Sequence, residues 1–308
     1  MQRQLALTLA VAAGAVWAWS QTAPAAAPAS DDIGVLKVQG NVYVLVGAGG
    51  NIAAQIGDDG ILLVDTGTGA AAPKVAAALK KLSGNPVQWI VNTAAEIDHI
   101  GGNGDLPRLS GLGPRQPLRV VAHEMVLNRL SAAPASGQSG IPDSLWPNDE
   151  YSQRVKDFSF NGEAVLVQHV PAAHTDGDSI VHFRRSDVLA TGDVFTPGRY
   201  PVIDLARGGS IQGEIDALNQ ILRITVPLKY EEGGTYVIPG HGRVCDEADV
   251  VEYRNMVTIV RDRIRDMVRK DMTLEQVKAA RPTRDYDTQY DSKDAAQFVE
   301  AIYKSLRK

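Results

Sequence analysis

The sequence predicts an α/β fold in which two sheets pack face to face and helices cover their outer sides. Short β-rich runs dominate from residue 34 onward, and a helical segment rich in Ala, Lys and Leu follows them at 71–82. The order of strands followed by helices then occurs a second time and ends in helical patterns at 246–270 and 294–306. No internal repeat of fixed period accompanies this order, which is typical of two sheets with helices outside.

The individual elements are predicted from turn chemistry and from hydrophobic spacing. Gly40-Asn41 and Asn161-Gly162 separate β-rich runs and indicate tight hairpin turns. Helices are also predicted at 123–130 and 211–224, and Thr273-Leu274-Glu275 has the start of a capped helix. The segments 104–118 and 132–151, rich in Gly, Pro or Ser, are expected to be loops. Strands are predicted at 35–38, 42–46, 51–56, 61–64, 88–92, 119–122, 153–160, 164–169, 179–183, 188–191 and 236–238.

The first 20 residues predict a secretory signal rather than part of the fold. Arg3 precedes an apolar run from Leu5 to Trp19, and Ala18-Trp19-Ser20 fits a small-x-small cleavage site. The run of about 15 residues is short for a membrane span, and an uncleaved N-terminal anchor is the alternative. We expect residues 21–32 to be a flexible leader and residues 33–308 to form a single domain. The mature protein is then periplasmic or secreted, without stable membrane insertion.

Composition narrows the classes of partner. The chain of 308 residues has a formal net charge of -5 and no basic stripe, which argues against nucleic acid as a partner. The single cysteine, Cys245, cannot form an internal disulfide. Stability must therefore come from the hydrophobic core or from a metal.

Four segments place metal-binding side chains at predicted strand ends. They contain Asp98-His99, His174, Asp193 and His241, each beside glycine or a turn. Loops positioned by a rigid scaffold are the usual place for a site, and His and Asp suit zinc, iron or manganese. Taken singly, each is more often a hydrogen-bonded structural residue or a turn. Taken together and in this order, they predict a metal centre.

In this order the segments resemble the metallo-β-lactamase fold superfamily. The resemblance extends from residue 34 to about residue 245, and it implies a four-layer αββα sandwich of the metallo-β-lactamase type with C-terminal helices at about 246–308. The matching segments are Leu63-Val64-Asp65-Thr66-Gly67, Asn92-Thr93 with Asp98-His99 and Gly101-Gly102-Asn103, Ala173-His174-Thr175 with Gly177-Asp178, Gly192-Asp193 and Gly240-His241-Gly242.

The resemblance implies two metal sites, of which the second is complete in this chain. The family normally carries His-x-His-x-Asp-His after Asn-Thr. The first two histidines and the later His-Thr histidine hold one metal, and the Asp-His pair and the final Gly-His hold the other. On this pattern the second site consists of Asp98, His99 and His241, and Asp193 bridges the two sites. Asp65 is expected either to orient the metal-binding loops or to cap a turn.

The first site is rewritten. Ala94 and Glu96 stand where the pattern has its first two histidines, and only His174 remains. Three interpretations of Glu96 are open: a metal ligand with His174 and Asp193, a base or orienting carboxylate, or a solvated or packing residue. If one metal is bound, Asp98 or Glu96 is the natural general base.

The implied activity is hydrolysis by a metal-bound hydroxide, because a metal lowers the pKa of its water to about 7. We therefore expect one or two Zn²⁺ ions, with iron or manganese as alternatives. The expected partner is a small-molecule substrate: a lactam, lactone, thioester or phosphoester. Asp193 stands where exported β-lactamases commonly carry cysteine or serine, which favours the wider hydrolase group. The alternative is a catalytically inactive binding or partner-interaction protein of the periplasm that keeps the fold.

Overall fold

Two β-sheets lie at the centre of the protein, whose computed structural model describes residues 32–133, 140–227 and 233–307. Within these residues the first sheet has seven strands in chain order and the second has five, in the order β12-β11-β10-β9-β8. The first sheet comprises β1 (Gly34–Gln39), β2 (Val42–Ala48), β3 (Gly50–Gly57), β4 (Gly60–Val64), β5 (Val87–Val91), β6 (Arg119–His123) and β7 (Asp149–Tyr151). The second comprises β8 (Val155–Phe160), β9 (Glu163–His169), β10 (Ser179–Phe183), β11 (Val188–Gly192) and β12 (Tyr236–Pro239).

Helices cover the outer face of each sheet. On the first sheet, α1 and α3 pack through residues such as Leu79 and Leu106, and on the second sheet α5, α6, α7 and α8 share another apolar cluster. A third cluster lies between the sheets, where Val64 and Val91 of one meet Val167 and Ile238 of the other. The αββα prediction is therefore confirmed. The helices are α1 (Ala72–Leu82), α2 (Ile97–Ile100), α3 (Leu106–Ser110), α4 (Glu124–Leu130), α5 (Ile211–Ile224), α6 (Glu247–Arg269), α7 (Leu274–Ala279) and α8 (Ala295–Leu306).

Strand direction brings several loops to one edge of the sandwich. Strands β4, β5, β6 and β7 are parallel to one another, as are β11 and β12. Strand β9 pairs antiparallel with β10, which pairs antiparallel with β11, so β9 runs in the same direction as β11. Because the carboxyl ends of co-directional strands meet at one edge, the loops after β9, β11 and β12 emerge side by side.

The turn and cap signals of the sequence act as expected. Asn161 and Gly162 both have positive φ, of 49° and 75°, which suits the two-residue hairpin between β8 and β9. Helix α7 begins with a capping box between Thr273 and Gln276, and α6 begins with one between Asp246 and Asp249. Each capping box satisfies two backbone groups that a helix start leaves unpaired.

Two predicted loops contain short regular elements. Segment 104–118 includes α3, so the prediction of a continuous loop there is wrong: Pro107 stands in the first turn and Gly111, with φ 110°, ends the helix. Segment 132–151 ends in β7, a strand of three residues, and residues 134–139 lie outside the described part of the chain. These elements are too short for a periodic pattern to form.

The predicted signal at 1–20, and the leader at 21–32 except for its last residue, lie outside the described residues. Within the described part of the chain, no helix combines the length and the hydrophobicity that crossing a bilayer requires.

Candidate metal centre

Polar side chains converge at the edge where the parallel strands end. Asp65 follows β4, Asp98 and His99 lie in the short helix α2 after β5, and Asp193 and His241 follow β11 and β12. A backbone bond joins the two sheets at this edge: the amide of Asn51, near the start of β3, donates to the carbonyl of Gly240, next to His241, at 2.7 Å.

The loop after β5 is fixed by the Asn-Thr and Gly-Gly-Asn parts of its motif. Asn103 Nδ2 donates to Asn92 Oδ1 at 2.8 Å, and Thr66 Oγ1 donates to Asn103 Oδ1 at 2.9 Å. The amide of Thr66 donates to the carbonyl of His99 at 2.8 Å. A Cβ at Gly102 would lie 2.6 Å from the carbonyl oxygen of Thr66, so this close approach requires glycine.

His99 is held in one orientation by a buried carboxylate. Its Nδ1 lies 2.8 Å from Asp65 Oδ2, and Thr93 donates to the same carboxylate through its amide and its hydroxyl, at 2.8 and 2.6 Å. Its Nε2 is buried and has no hydrogen-bond partner among the described residues; it lies 3.4 Å from Asp193 Oδ2. A carboxylate on one ring nitrogen leaves the other to bind a metal, which is the orienting role expected for Asp65.

His241 connects the two remaining carboxylates. Its Nδ1 lies 2.8 Å from Asp193 Oδ1, and its Nε2 lies 3.2 Å from Asp98 Oδ2. One ligand atom from each of Asp98, His99 and His241 falls in a group within 4.8 Å of one another. A Cβ at Gly240 would clash with the carboxylate of Asp193, so the glycine before His241 permits this approach.

Charges in this cluster are strongly coupled. Burial alone would raise the pKa of Asp193, but the imidazoles of His99 and His241 hold it well below its usual value of 3.8. Hydrogen bonds with Asp193 and Asp98 raise the pKa of His241 to about 9. Burial would lower the pKa of His99, yet the carboxylates of Asp65 and Asp193 raise it well above 6.5. The carboxylates therefore attract positive charge, which a divalent cation supplies as effectively as protons.

Glu96 and His174 lie apart from this ligand group. Glu96 Oε1 accepts from Arg207 Nη1 at 2.6 Å, while its Oε2 is buried without a hydrogen-bond partner among the described residues. His174 Nδ1 lies 3.5 Å from Asp178 Oδ1, and Ala94 is buried. The structure thus brings together Asp98, His99, Asp193 and His241. That Glu96 and His174 bind metal stays a prediction.

Sequence reasoning missed Glu214, on α5. Its side chain is buried, and neither carboxylate oxygen has a hydrogen-bond partner among the described residues. Burial, together with the negative charges of Asp178 and Asp193, raises its pKa well above 4.5. The signal was present in the helical spacing, because Glu214 shares the apolar face of Ile211 and Ile215.

The motif segments also match a sequence model of a known family. That model describes the metallo-beta-lactamase superfamily and matches residues 36–241, more than half of the chain. The chain belongs to the metallo-β-lactamase superfamily. Members of this superfamily are mostly metal-dependent hydrolases and usually bind metal ions, which agrees with the candidate His and Asp centre described above.

Solved structures of the superfamily share the fold at low identity. A metallo-beta-lactamase from Pontibacter korlensis is 17% identical, with a TM-score of 0.56, and the match covers 74% of this chain and 99% of that one. A double mutant of the sec-alkyl sulfatase PisA1 is 16% identical, with a TM-score of 0.63. The stereoselective inverting sec-alkylsulfatase Pisa1 from Pseudomonas sp. is also 16% identical, with a TM-score of 0.59.

The matches to the two sulfatase structures cover most of this chain but only part of the sulfatase chains. Each match covers 88% of this chain but only 50% of the sulfatase chain, so this chain spans about half the length of those relatives. No curated protein sequence matches the chain. At these identities, the solved structures establish the fold alone.

Proposed function

We propose that the protein is an exported hydrolase that binds one divalent metal ion at Asp98, His99, Asp193 and His241. The observation that carries this proposal is the geometry of His99. Asp65 holds the ring through its contact with Nδ1. The buried Nε2 lacks a hydrogen-bond partner among the described residues and lies on the side of Asp193. A buried polar atom without a partner costs free energy unless a ligand satisfies it.

The donor set fits the expected metal. Two imidazoles and two carboxylates suit Zn²⁺, and they also suit iron or manganese. A bound divalent ion supplies a nucleophile at neutral pH by lowering the pKa of a coordinated water to about 7. The lone cysteine, Cys245, is buried and pairs with the carbonyl of Arg243 at 3.4 Å, outside the ligand group.

Exposure indicates the side from which a substrate enters. The side chain of His99 is 1% exposed, whereas those of Asp98, His241 and Asp193 are 31%, 24% and 20% exposed. The hydrogen bond from His241 lowers the pKa of Asp98, so this carboxylate is ionised at neutral pH. We assign Asp98 the role of accepting a hydrogen bond from the attacking water at the open side of the centre.

This chemistry defines the kind of bond that the substrate contains. An activated water attacks carbonyl or phosphoryl centres, which gives lactams, lactones, thioesters and phosphoesters as candidates. The sec-alkyl sulfatases among the similar structures add sulfate esters to these candidates. Asp193, which contacts both histidines of the cluster, favours the wider hydrolase group over β-lactam hydrolysis.

The test is the metal content of the purified protein, measured per chain and by element. We expect about one zinc, iron or manganese per chain and its loss in Asp98→Ala, because three or four protein ligands are the usual complement of such a site. Asp285→Ala is the matched control, since Asp285 is an exposed carboxylate paired with Arg263. Absence of metal after incubation with excess Zn²⁺, Fe²⁺ and Mn²⁺ would overturn the proposal.

The second candidate function is a catalytically inactive binding protein. The observation that favours it is the ion pair of Glu96 with Arg207, which engages a carboxylate near the rewritten site. A panel of p-nitrophenyl phosphate, p-nitrophenyl sulfate, p-nitrophenyl acetate, a thioester, a lactone and a β-lactam separates the two. Metal-loaded protein that hydrolyses none of them supports the binding protein, and Asp98-dependent turnover of any one of them supports the hydrolase.

A further inference from the structure

The guanidinium of Arg207 lies between the two loops that carry the rewritten half of the centre. Its Nη1 donates to Glu96 Oε1 at 2.6 Å, and its Nε lies 3.4 Å from Asp204 Oδ2. Glu96 comes two residues after Ala94, where the family pattern has a histidine ligand, and the carbonyl of His174 accepts from the amide of Asp204 at 2.9 Å. An arginine is therefore present where the sequence has lost metal ligands.

The backbone holds Arg207 in place. Asp204 Oδ1 accepts from the amides of Ala206 and Arg207, each at 3.0 Å, and the carbonyl of Arg207 accepts from the amide of Asp176 at 2.9 Å. Gly208 follows with φ 83°, and a Cβ at Gly209 would clash with the carbonyl of His174. The short turn at 205–207 is thus built onto the loop that carries His174.

The ion pair with Glu96 uses only part of what the guanidinium offers. A guanidinium has five N–H donors, and a structural pair with a carboxylate often uses two parallel bonds. Here only Oε1 of Glu96 is bonded, and Oε2 is buried without a hydrogen-bond partner in the described residues. The side chain of Arg207 is 46% exposed. Beyond Glu96 and Asp204, no further side-chain partner of Arg207 is found in the described part of the chain.

We propose that Arg207 is a binding residue for an oxyanion, and that it supplies on the rewritten side the positive charge that the first-site metal ion supplies in the two-metal pattern. Arginine always carries its charge in proteins and binds carboxylate, sulfate or phosphate oxygens in a fork. The inference deepens the proposed function: a substrate with an anionic group places that group at Arg207 and its scissile bond at the Asp98 and His241 side. Glu96 holds the guanidinium until an anion replaces it as partner.

Anion binding tests the proposal without turnover. Inorganic phosphate and inorganic sulfate are titrated calorimetrically into the full chain, both metal-free and zinc-loaded. We expect Arg207→Ala to weaken binding by about tenfold to a hundredfold, because a charge-assisted hydrogen bond contributes about 1.5–3 kcal/mol. Arg207→Lys keeps the positive charge but loses the forked donor geometry, so its anion affinity should lie between those of the wild type and Arg207→Ala. Glu96→Gln removes the competing carboxylate and should tighten binding several-fold.

The control is Arg284→Ala, since Arg284 is an exposed arginine that lies beside a carboxylate, that of Asp285. This variant should bind phosphate and sulfate as the wild type does. Thermal unfolding checks that each variant is folded. Equal affinity of the wild type and Arg207→Ala for both anions in both metal states would overturn the inference, as would weaker binding by Glu96→Gln.

A matched pair of esters separates this inference from the proposed function. p-Nitrophenyl hemisuccinate and p-nitrophenyl acetate share a leaving group, but only the hemisuccinate carries a carboxylate. Arg207→Ala should raise KM for the hemisuccinate by a larger factor than KM for the acetate, and it should change KM more than kcat. Arg207-dependent anion binding without turnover of any ester sinks the hydrolase and supports the anion site. Ester turnover together with anion binding that does not depend on Arg207 supports the hydrolase and contradicts the anion site.

Discussion

The two halves of the centre differ in how their side chains are held. In the half formed by Asp98, His99 and His241, the ligand atoms lie together, and the buried carboxylate of Asp65 orients His99. In the other half, Ala94 has no donor and Glu96 is paired with an arginine. The kept half (Asp98, His99 and His241) leaves His99 Nε2 without a hydrogen-bond partner among the described residues, whereas the rewritten half has the cationic side chain of Arg207 beside Glu96.

The largest difference between the halves should appear when one histidine is removed from each. We expect His241→Ala to lose its metal after dialysis, because His241 contacts both Asp98 and Asp193. His174→Ala should keep a metal content near that of the wild type, since His174 lies outside the ligand group. Elemental analysis and competition with a chelator measure both. Equal loss in the two variants would mean that the halves form one dinuclear site.

The pH dependence of metal affinity should come from the kept half. Because hydrogen bonds with Asp193 and Asp98 raise the pKa of His241 to about 9, the metal must displace a proton at neutral pH. We expect affinity to rise by at least about tenfold per pH unit up to about pH 9, because His99, whose pKa is also raised, can release a second proton. Proton release should appear as a buffer-dependent binding enthalpy. In His174→Ala this dependence should persist; a profile that is flat between pH 7 and 9 would contradict it.

The same shift gives a pH dependence to the stability of the metal-free protein. A raised imidazole pKa stabilises the folded state fully below the unfolded value of about 6.5 and loses that contribution as pH rises through the folded value. The folded value for His241 is about 9. Urea unfolding of metal-free protein should therefore show stability falling between about pH 6.5 and 9, and bound metal should reduce the fall.

Removing the carboxylate that orients His99 should weaken metal binding by the kept half without abolishing it. Asp65→Asn keeps the shape of the side chain but loses the charge that lies 2.8 Å from His99 Nδ1. We expect metal affinity to fall by about 10–100-fold, the range found for carboxylates that orient ligating histidines. Asp178→Asn is the comparison in the rewritten half, since Asp178 lies 3.5 Å from His174, and it should leave affinity unchanged.

The positions of the kept half could be predicted from the sequence because each of its residues lies in a segment that follows a recognisable strand. Asp98, Asp193 and His241 each follow a strand whose apolar run is evident, and glycines mark the close approaches. The family model then confirmed the resemblance on which the αββα arrangement depended. Spacing along strands fixes where their ends lie, and parallel strands bring those ends to one edge.

The rewritten half could not be predicted in the same way. The pair of Glu96 and Arg207 joins residues 111 positions apart, and nothing in the residues around either side chain selects the other as its partner. Arg207 lies outside every motif segment that carries the family resemblance. The orientation of a long side chain depends on local features such as the bond from the amide of Arg207 to Asp204 Oδ1 and the positive φ of Gly208, which leave no periodic signal.

The smallest expected effect concerns the buried carboxyl of Glu214, on which the charges of His174, Asp178 and Asp193 act. Because burial raises its pKa well above 4.5, the folded state favours the protonated form. The stability that this gives is fully present below about pH 4.5 and is lost as pH rises toward the folded value. Glu214→Gln cannot ionise, so its stability relative to the wild type should increase from pH 5 to pH 9.

Glu163 is the matched control, because it is equally buried but fully paired. Its carboxylate accepts from the amides of Arg185 and Ser186, from the Ser186 hydroxyl and from Gln55. Glu163→Gln should cost about 1.5–3 kcal/mol, because hydrogen bonds to a charged group are lost. Urea unfolding at pH 5 and pH 9 measures both variants. A pH-independent difference between Glu214→Gln and the wild type would contradict the prediction, because it would show that Glu214 keeps one protonation state across this range.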